Sequence, residues 1–466
     1  MNDLGAVKPD WAWAPFEPSA SQPWNRRAAA HLYRRAGFGA DSRQLDAAVK
    51  QGAEGAIKKL LYAGSSTLED APAKPLAKGG FTMKADMMGS MVMSGGKPQA
   101  LGAWWLYRML HTPDQSLEKL TLFWHGHFAT SAAKVTDARM IKDHDTLLRR
   151  HARGNFGQLT HGMAKDPAML VWLDSTTNRK RRPNENFSRE LMELFCLRVG
   201  NYTEEDIREM ARAFTGWEIR KGKFLVNDRQ HDKGSKTFLG KTGAFKGEDA
   251  VRIVLEQPAT ARFIARKLTR YFVCDEPEMP DALIEPLAIL FRENDLQVAP
   301  LVERILRSNL FYSKHAIAQK VRSPVELGIG LLRSLEATAN LQQLNQSLGQ
   351  LGQALYYPPN VKGWDGGRAW INSSTMLGRN NLVRRLLSDK ETRFKGGDLA
   401  AVVKSAGVDG SEATVDWLLE LLVASETPRS VRASLVSLAK TSKGEPHRRI
   451  AAVIHAISAL PEFQLS

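Results

Sequence analysis

Tyr202 to Val226, YTEEDIREMARAFTGWEIRKGKFLV, changes its period part-way along. Thr203 followed three residues later by Asp206 is a capping box, in which the two residues satisfy each other's backbone N–H groups at the start of a helix. Ile207, Met210, Ala211 and Phe214 then fall on one face at helical spacing. From Trp217 the pattern becomes two short extended runs turning at Lys221 and Gly222. The stretch predicts a capped helix that leads directly into a hairpin.

On either side the helical period prevails. Asn25–Gly39, NRRAAAHLYRRAGFG, reads as an amphipathic helix ended by Gly37 and Gly39. Pro98–Pro113 carries Leu101, Trp105, Leu106 and Met109 at helical spacing and is closed by Pro113. Ser116–Phe128, SLEKLTLFWHGHF, repeats the pattern, and further helices are expected over Asp137–Gly154 and around Phe156–Ala164. Strand signals are few: the hairpin, and a short extended segment at Lys236–Gly240, KTFLG. The expected fold is mainly α, a multi-helix globular fold with a small inserted β-hairpin element near residues 217–239. Residues 1–22 read as an N-terminal arm, 23–388 as a main helical domain with a Met/Gly-rich loop at 79–97, and 389–466 as a C-terminal helical region. The loop methionines, Met83, Met87, Met88, Met91 and Met93, lack the histidine and cysteine company of a copper site and suit a soft loop lying over another surface.

The composition narrows the function classes. The 466 residues are 43% hydrophobic, which is enough for a large core. No apolar run approaches the ~20 residues needed to span a bilayer. The N-terminus shows neither an apolar signal region nor a twin-arginine leader, so a cytoplasmic location is expected, or a periplasmic one if a leader has been removed. Cys196 and Cys274 sit in apolar helical patterns without CxxC spacing and read as core thiols. A balance of 65 basic against 50 acidic residues, net +15, favours acidic partners such as polyanionic glycans, nucleic acid or phosphorylated substrates. The densest basic run, Arg179 to Arg182, has no interleaved aromatics, so it reads as a solvated loop and nucleic acid is not expected as a partner.

Among motifs, HExxH, GxxxxGK[ST], GxSxG and CxxCH are absent. Ser131–Lys134, SAAK, and Lys241–Gly243, KTG, match two of the three serine β-lactamase motifs, but the S-x-N motif and the strands for the required sheet are missing. The stretch richest in chemistry is Arg181–Ile207. There Phe187, Leu191 and Leu194 form an apolar stripe, and Asn186, Glu190 and Glu193 a polar one at the same spacing. Such carboxylates can hold a divalent metal, act as a general base or pair with Arg189, Arg208 or Arg212. His125 and His127 flank Gly126. A regular helix points such residues about 200° apart, so they share a ligand only if the helix ends or distorts at the glycine. His125 is the stronger candidate of the two. His231 with Asp232 forms a loop pair of metal-ligand or acid–base type, whereas His144 and Asp145 read as structural and Asp166, Asp174 and Asn178 as turn and cap formers.

HLYRRAGFG, FWHGHFATS, GNFGQLTHGMAKDPAMLVWLDS, PNENFSRELMELFCLRVGNYTEEDIREMARAFTGW, HDKGSKTFLG and PPNVKGWDGGRAWINSSTMLGRNN together resemble a bacterial family known as the domain of unknown function numbered eighteen hundred, over about His31 to Asn381. The resemblance implies a helical protein, often exported and often encoded beside sulfatase-like proteins. It brings no assigned activity. Its motif residues fall here on His125, His127, Asn184, Glu185, Asn186, Arg189, Glu190, Glu193, His231, Asp232, Asn360, Gly363, Trp364 and Asn372.

The expectation is that these motifs converge in one cleft of a metal-dependent hydrolase or group transferase acting on an acidic glycan or other polyanion. Glu190, His125, Arg189 and His231 are its catalytic candidates, and Asn184, Asn186, Asn360, Trp364 and Asn372 its substrate contacts. His125, His127, Glu190, Glu193, His231 and Asp232 would supply ligands for Zn, Mn or Fe. The rival expectation is a non-catalytic helical binding or scaffold protein in which the same residues form structural networks, with a sulfatase-like protein as partner by resemblance.

Overall fold

A computed structural model describes residues 3–62 and 98–466. The Met/Gly-rich loop expected at 79–97 lies outside the described residues. Helix occupies 59% of the chain and strand 6%, so the fold is mainly α. The capping box at Thr203 opens the helix Glu204–Ala213 with the reciprocal bonds that the sequence predicts. The hairpin follows at once: Trp217–Arg220 pairs antiparallel with Lys223–Val226, Arg220 opposite Lys223. Its two-residue turn has Lys221 at φ 51° and Gly222 at φ 73°, the left-handed pair whose twist suits a tight hairpin. KTFLG does more than extend. Lys236–Phe238 pairs with Lys241–Gly243 in a second hairpin, and Ala337–Thr338 pairs with Arg393–Phe394 in a third small sheet that the sequence did not predict.

The helix Gln115–His127 organises the first half of the fold. It packs against Arg26–Ala36, Ser42–Tyr62, Gln99–His111 and Ala138–His151, which explains why it carries apolar side chains nearly all round. One contiguous hydrophobic cluster runs from Leu4 to Phe463. The N-terminal arm is ordered: Trp13 is buried, and its indole N–H donates to the Leu283 carbonyl at 2.8 Å. The region 389–466 shares the same cluster. Its helix Ser411–Leu422 packs on Arg26–Ala36, and Pro446–Ser458 packs on Ser373–Ser388. Both cysteines are free and buried. No helix among the described residues is long and apolar enough to cross a membrane.

Candidate functional site

The helix Gln115–His127 does not stop at Gly126. Phe128 caps it, donating its N–H to the Trp124 carbonyl at 2.8 Å. The two histidine rings therefore diverge. His125 is 1% exposed and lies among Trp105, Tyr356 and Trp364, with ring centroids 5.3, 5.3 and 5.4 Å away. Its Nε2 accepts the Tyr356 backbone N–H at 3.2 Å. Burial, reinforced by the nearby His144, lowers its pKa to about 3, so the ring is neutral with its proton on Nδ1. His127 points into the core among Phe123, Phe128, Phe195 and Phe263. Its ring is bonded to the Phe195 carbonyl through Nε2 at 3.0 Å. Burial holds it too well below its ordinary basicity.

The late loop is seated on the end of this helix. The Asn360 side chain accepts the Lys362 N–H at 2.9 Å, and the Asn360 carbonyl accepts the Gly363 N–H at 3.2 Å, so Asn360 shapes a turn. Gly363 adopts φ 81° directly against Gly126, where a Cβ would lie 2.2 Å from the Gly126 carbonyl oxygen. The glycine permits this approach and sets Trp364 beside His125.

Lys362, in the same loop, lies near enough to Glu190 for its charge to act on that carboxyl. The helix that begins at Asn186 runs as α-helix only to Glu190 and then widens into a π-helix over Leu191–Cys196, closed by the Leu197 N–H on the Met192 carbonyl at 2.7 Å. The apolar stripe is corrected accordingly. The buried face is Phe187, Leu191, Met192, Phe195 and Cys196, with Leu194 only half-buried, because the wider turn breaks the 3.6 period. Burial, and then the charge of Glu193, raise the Glu190 carboxyl above the ordinary glutamate range against the pull of Arg189 and Lys362. Glu193 accepts the Tyr202 hydroxyl at 3.0 Å. Burial and this bond push the Tyr202 phenol up to about 12. Arg189 grips Glu204 with two bonds of 2.8 Å and reaches Glu185 at 3.2 Å, so its guanidinium is engaged at the cleft's edge.

The other expected site residues are placed elsewhere. His231 binds the Thr215 carbonyl through Nδ1 at 3.0 Å, and Asp232 pairs with Arg212 at 2.8 Å, a bond that holds its carboxyl below the usual range. This pair braces the hairpin region, and its bonding partners include none of the cleft groups. Asn184 closes a turn through Asp174 and Thr177, and its side chain accepts the N–H of the exposed Asn186 at 3.0 Å. Asn372 caps the helix Ser373–Ser388, accepting the Thr375 N–H at 2.9 Å while Thr375 returns the bond at 2.8 Å. Asn372→Ala is expected to lower stability by about 1 kcal/mol in urea unfolding, the usual loss for a cap. Among the described residues no three or more of His, Cys, Asp and Glu stand close enough to hold a metal ion. The six proposed ligands are dispersed because the helix continues through Gly126 and because Asp232 is engaged by Arg212. Glu190 and Glu193 alone of the six stay side by side.

Beneath His125 lies a charged network that sequence reasoning missed. Glu118, 1% exposed, accepts from the Trp105 indole at 2.8 Å, Arg108 at 3.1 Å and Arg149 at 2.9 and 3.0 Å. Arg149 also pairs with Asp145, which is fully buried. His144 donates from Nδ1 to Asp166 at 2.8 Å, and the same carboxylate caps the helix Pro167–Trp172. The available signal was charge inside a helix that is otherwise apolar all round, at Glu118 and Lys119.

A long mainly α-helical fold on one hydrophobic cluster, with a late loop seated on a histidine-bearing helix end, defines the class of this protein. The chain belongs to the family described as protein of unknown function (DUF1800), whose model matches residues 31–465. Neither the curated proteins nor the solved structures contain a match.

Proposed function

We propose that the protein is an enzyme of hydrolase or group-transfer type whose acid–base centre is Glu190 with Glu193. The observation that carries this reading is the half-buried carboxylate pair at the junction of an α-helix with a π-helix, a conformation frequent at functional sites, with the basicity of Glu190 raised. A carboxyl so raised stays protonated further toward neutral pH and can donate a proton to a leaving group. Half-buried Trp364 supplies a flat apolar surface, and exposed Lys362, two residues before it, a cation. That combination suits a sugar ring bearing an anionic group, in keeping with the net charge of +15. His125 is neutral, 1% exposed and bonded to the Tyr356 backbone, which supports a positioning role beneath Trp364. No step is assigned to a metal, because the ligand set does not assemble.

Hydrolysis of a panel of neutral, carboxylated and sulfated chromogenic glycosides tests the reading. Glu190→Gln is expected to lower turnover by about 10²-fold or more while leaving thermal stability nearly unchanged. Turnover of the anionic substrates should fall as pH rises through the raised pKa of Glu190. Equal turnover in the variant, or no turnover of any panel member, sinks the assignment. The second reading, a non-catalytic binding protein, is favoured by the turn and cap roles of Asn184, Asn360 and Asn372. Under it, glycan or a sulfatase-like protein is retained by wild type and Glu190→Gln alike, without turnover.

A further inference from the structure

Elsewhere in the core, six cationic side chains are buried together: Arg34, Arg35, Lys119, Lys320, Arg322 and Arg379. Two carboxylates, Glu326 and Asp275, are buried with them, and both are fully engaged. Glu326 pairs with Lys119 and accepts the Ser323 N–H at 2.8 Å. Asp275 takes Lys320 at 2.8 Å on one oxygen and the Val321 N–H at 2.8 Å on the other. The arginines rest on neutral oxygens: Arg322 on the Leu465 and Leu422 carbonyls at 2.9 and 2.7 Å, and Arg379 on the Arg322 carbonyl at 2.7 Å and the Gln464 amide oxygen at 3.1 Å. Arg35 holds the Val273 and Ala316 carbonyls.

Arg34 is the least satisfied. It is 8% exposed, its one bond is a long contact of 3.4 Å to the Leu421 carbonyl, and its Nε and Nη2 have no protein partner. Burial lowers its basicity well below the ordinary value, and Arg322, Arg35 and Arg27 add to the effect with no carboxylate opposing them. Arg34 and Arg322 line a small cavity of about 10 Å³ together with Ser334, Ser466 and Glu326, whose two oxygens are already taken by Lys119 and the Ser323 N–H. That is room for one water-sized body. A buried charge without a counter-charge costs far more than the same charge paired. A single-atom anion at this point would accept the free Arg34 N–H groups and offset part of the surplus of four positive charges.

We infer that this cavity is a structural anion site that takes one halide-sized monovalent anion, chloride being the abundant one. Its function is to neutralise the arginine cluster that joins the helix Arg26–Ala36 to residues 421–422 and 464–465. The narrowness of the space favours a single-atom anion over a polyatomic one such as sulfate.

The test is thermal unfolding of the full chain at constant ionic strength, with chloride or bromide exchanged for methanesulfonate or sulfate. Wild type is expected to melt about 3 °C or more higher in the halides, with the melting temperature rising as halide concentration rises, the mark of a ligand bound to the native state. Arg34→Gln should lose that difference. Equal melting temperatures of wild type in all four salts would overturn the site, as would an undiminished halide effect in Arg34→Gln. If the variant does not fold, bromide-soaked crystals of the wild-type protein decide the question. An anomalous peak between Arg34 and Arg322 supports the site, and its absence there refutes it.

Discussion

Glu118→Ala is expected to lose about 3–5 kcal/mol of stability, the penalty for stranding buried cations by removing their shared partner. Arg108 loses its carboxylate, Arg149 keeps only Asp145, and the Trp105 indole loses its acceptor. Denaturant unfolding reads the effect directly. Glu118→Leu combined with Arg149→Met and Asp145→Leu is expected to recover part of the loss, since packed apolar side chains remove the charges and their desolvation and leave no buried Asp145 without its arginine. Independent destabilisation by the three substitutions, adding without recovery, would contradict a coupled network. Burial alone would raise the Glu118 carboxyl, but Arg149 and Arg108 outweigh it and hold the group at about 2. Glu326 is likewise held at about 2 by Lys119 and Lys320 against burial. Both values lie below that of an unfolded glutamate, so the stabilisation is complete above about pH 4.5 and is lost as pH falls towards 2. The protein is therefore expected to unfold in acid across that window, and the Glu118→Ala variant should show a shallower acid dependence.

Gly363→Ala is expected to detach the late loop from the helix end. The added methyl would meet a backbone carbonyl at 2.2 Å, and no side-chain rotation relieves a clash between two main chains. The φ of 81° adds strain of about 1 kcal/mol for a non-glycine residue. Because Trp364 packs beside His125 only while the loop is seated, its near-ultraviolet circular dichroism and fluorescence should change, although the far-ultraviolet helical signal should not. Any activity dependent on Glu190 should fall with it, since Lys362 moves with the same loop. Gly366→Ala, where an added Cβ would meet nothing nearer than the Trp370 Nε1 at 4.0 Å, is the control for strain alone. An unchanged tryptophan environment in Gly363→Ala would refute the seating of the loop.

The helices were legible because their period and caps are local properties of the chain. Thr203 with Asp206, and the Lys221–Gly222 turn, acted as the sequence predicts because each device needs only its neighbours. The sequence left open whether His125 and His127 share a ligand, and the helix, continuing through Gly126, turns their rings apart. It grouped His231 and Asp232 with the cleft, although Arg212, on another helix, engages the aspartate. That pairing is tertiary and leaves no local periodicity. Asn184, Asn360 and Asn372 were read as substrate contacts, and the structure gives each a turn or cap to hold. Asparagine serves both purposes, and its side chain alone does not distinguish them. The Glu118 network was hidden for a related reason: a charge in an apolar helix shows that something answers it, but not which residues do.

The π-helix at Leu191–Cys196 also absorbs one residue without changing the phase of the chain beyond it. A π-turn fits one residue more than an α-turn into the same rotation. Removing that residue would let the turn close as α-helix, so the chain beyond Cys196 would keep its orientation and the adjustment would fall on the segment itself. Taken out between Glu190 and Glu193, it would cut their spacing from three residues to two and turn Glu193 away from its neighbour and from the Tyr202 hydroxyl. The extra residue is thus accommodated locally, and this segment tolerates changes of side chain better than a change of length.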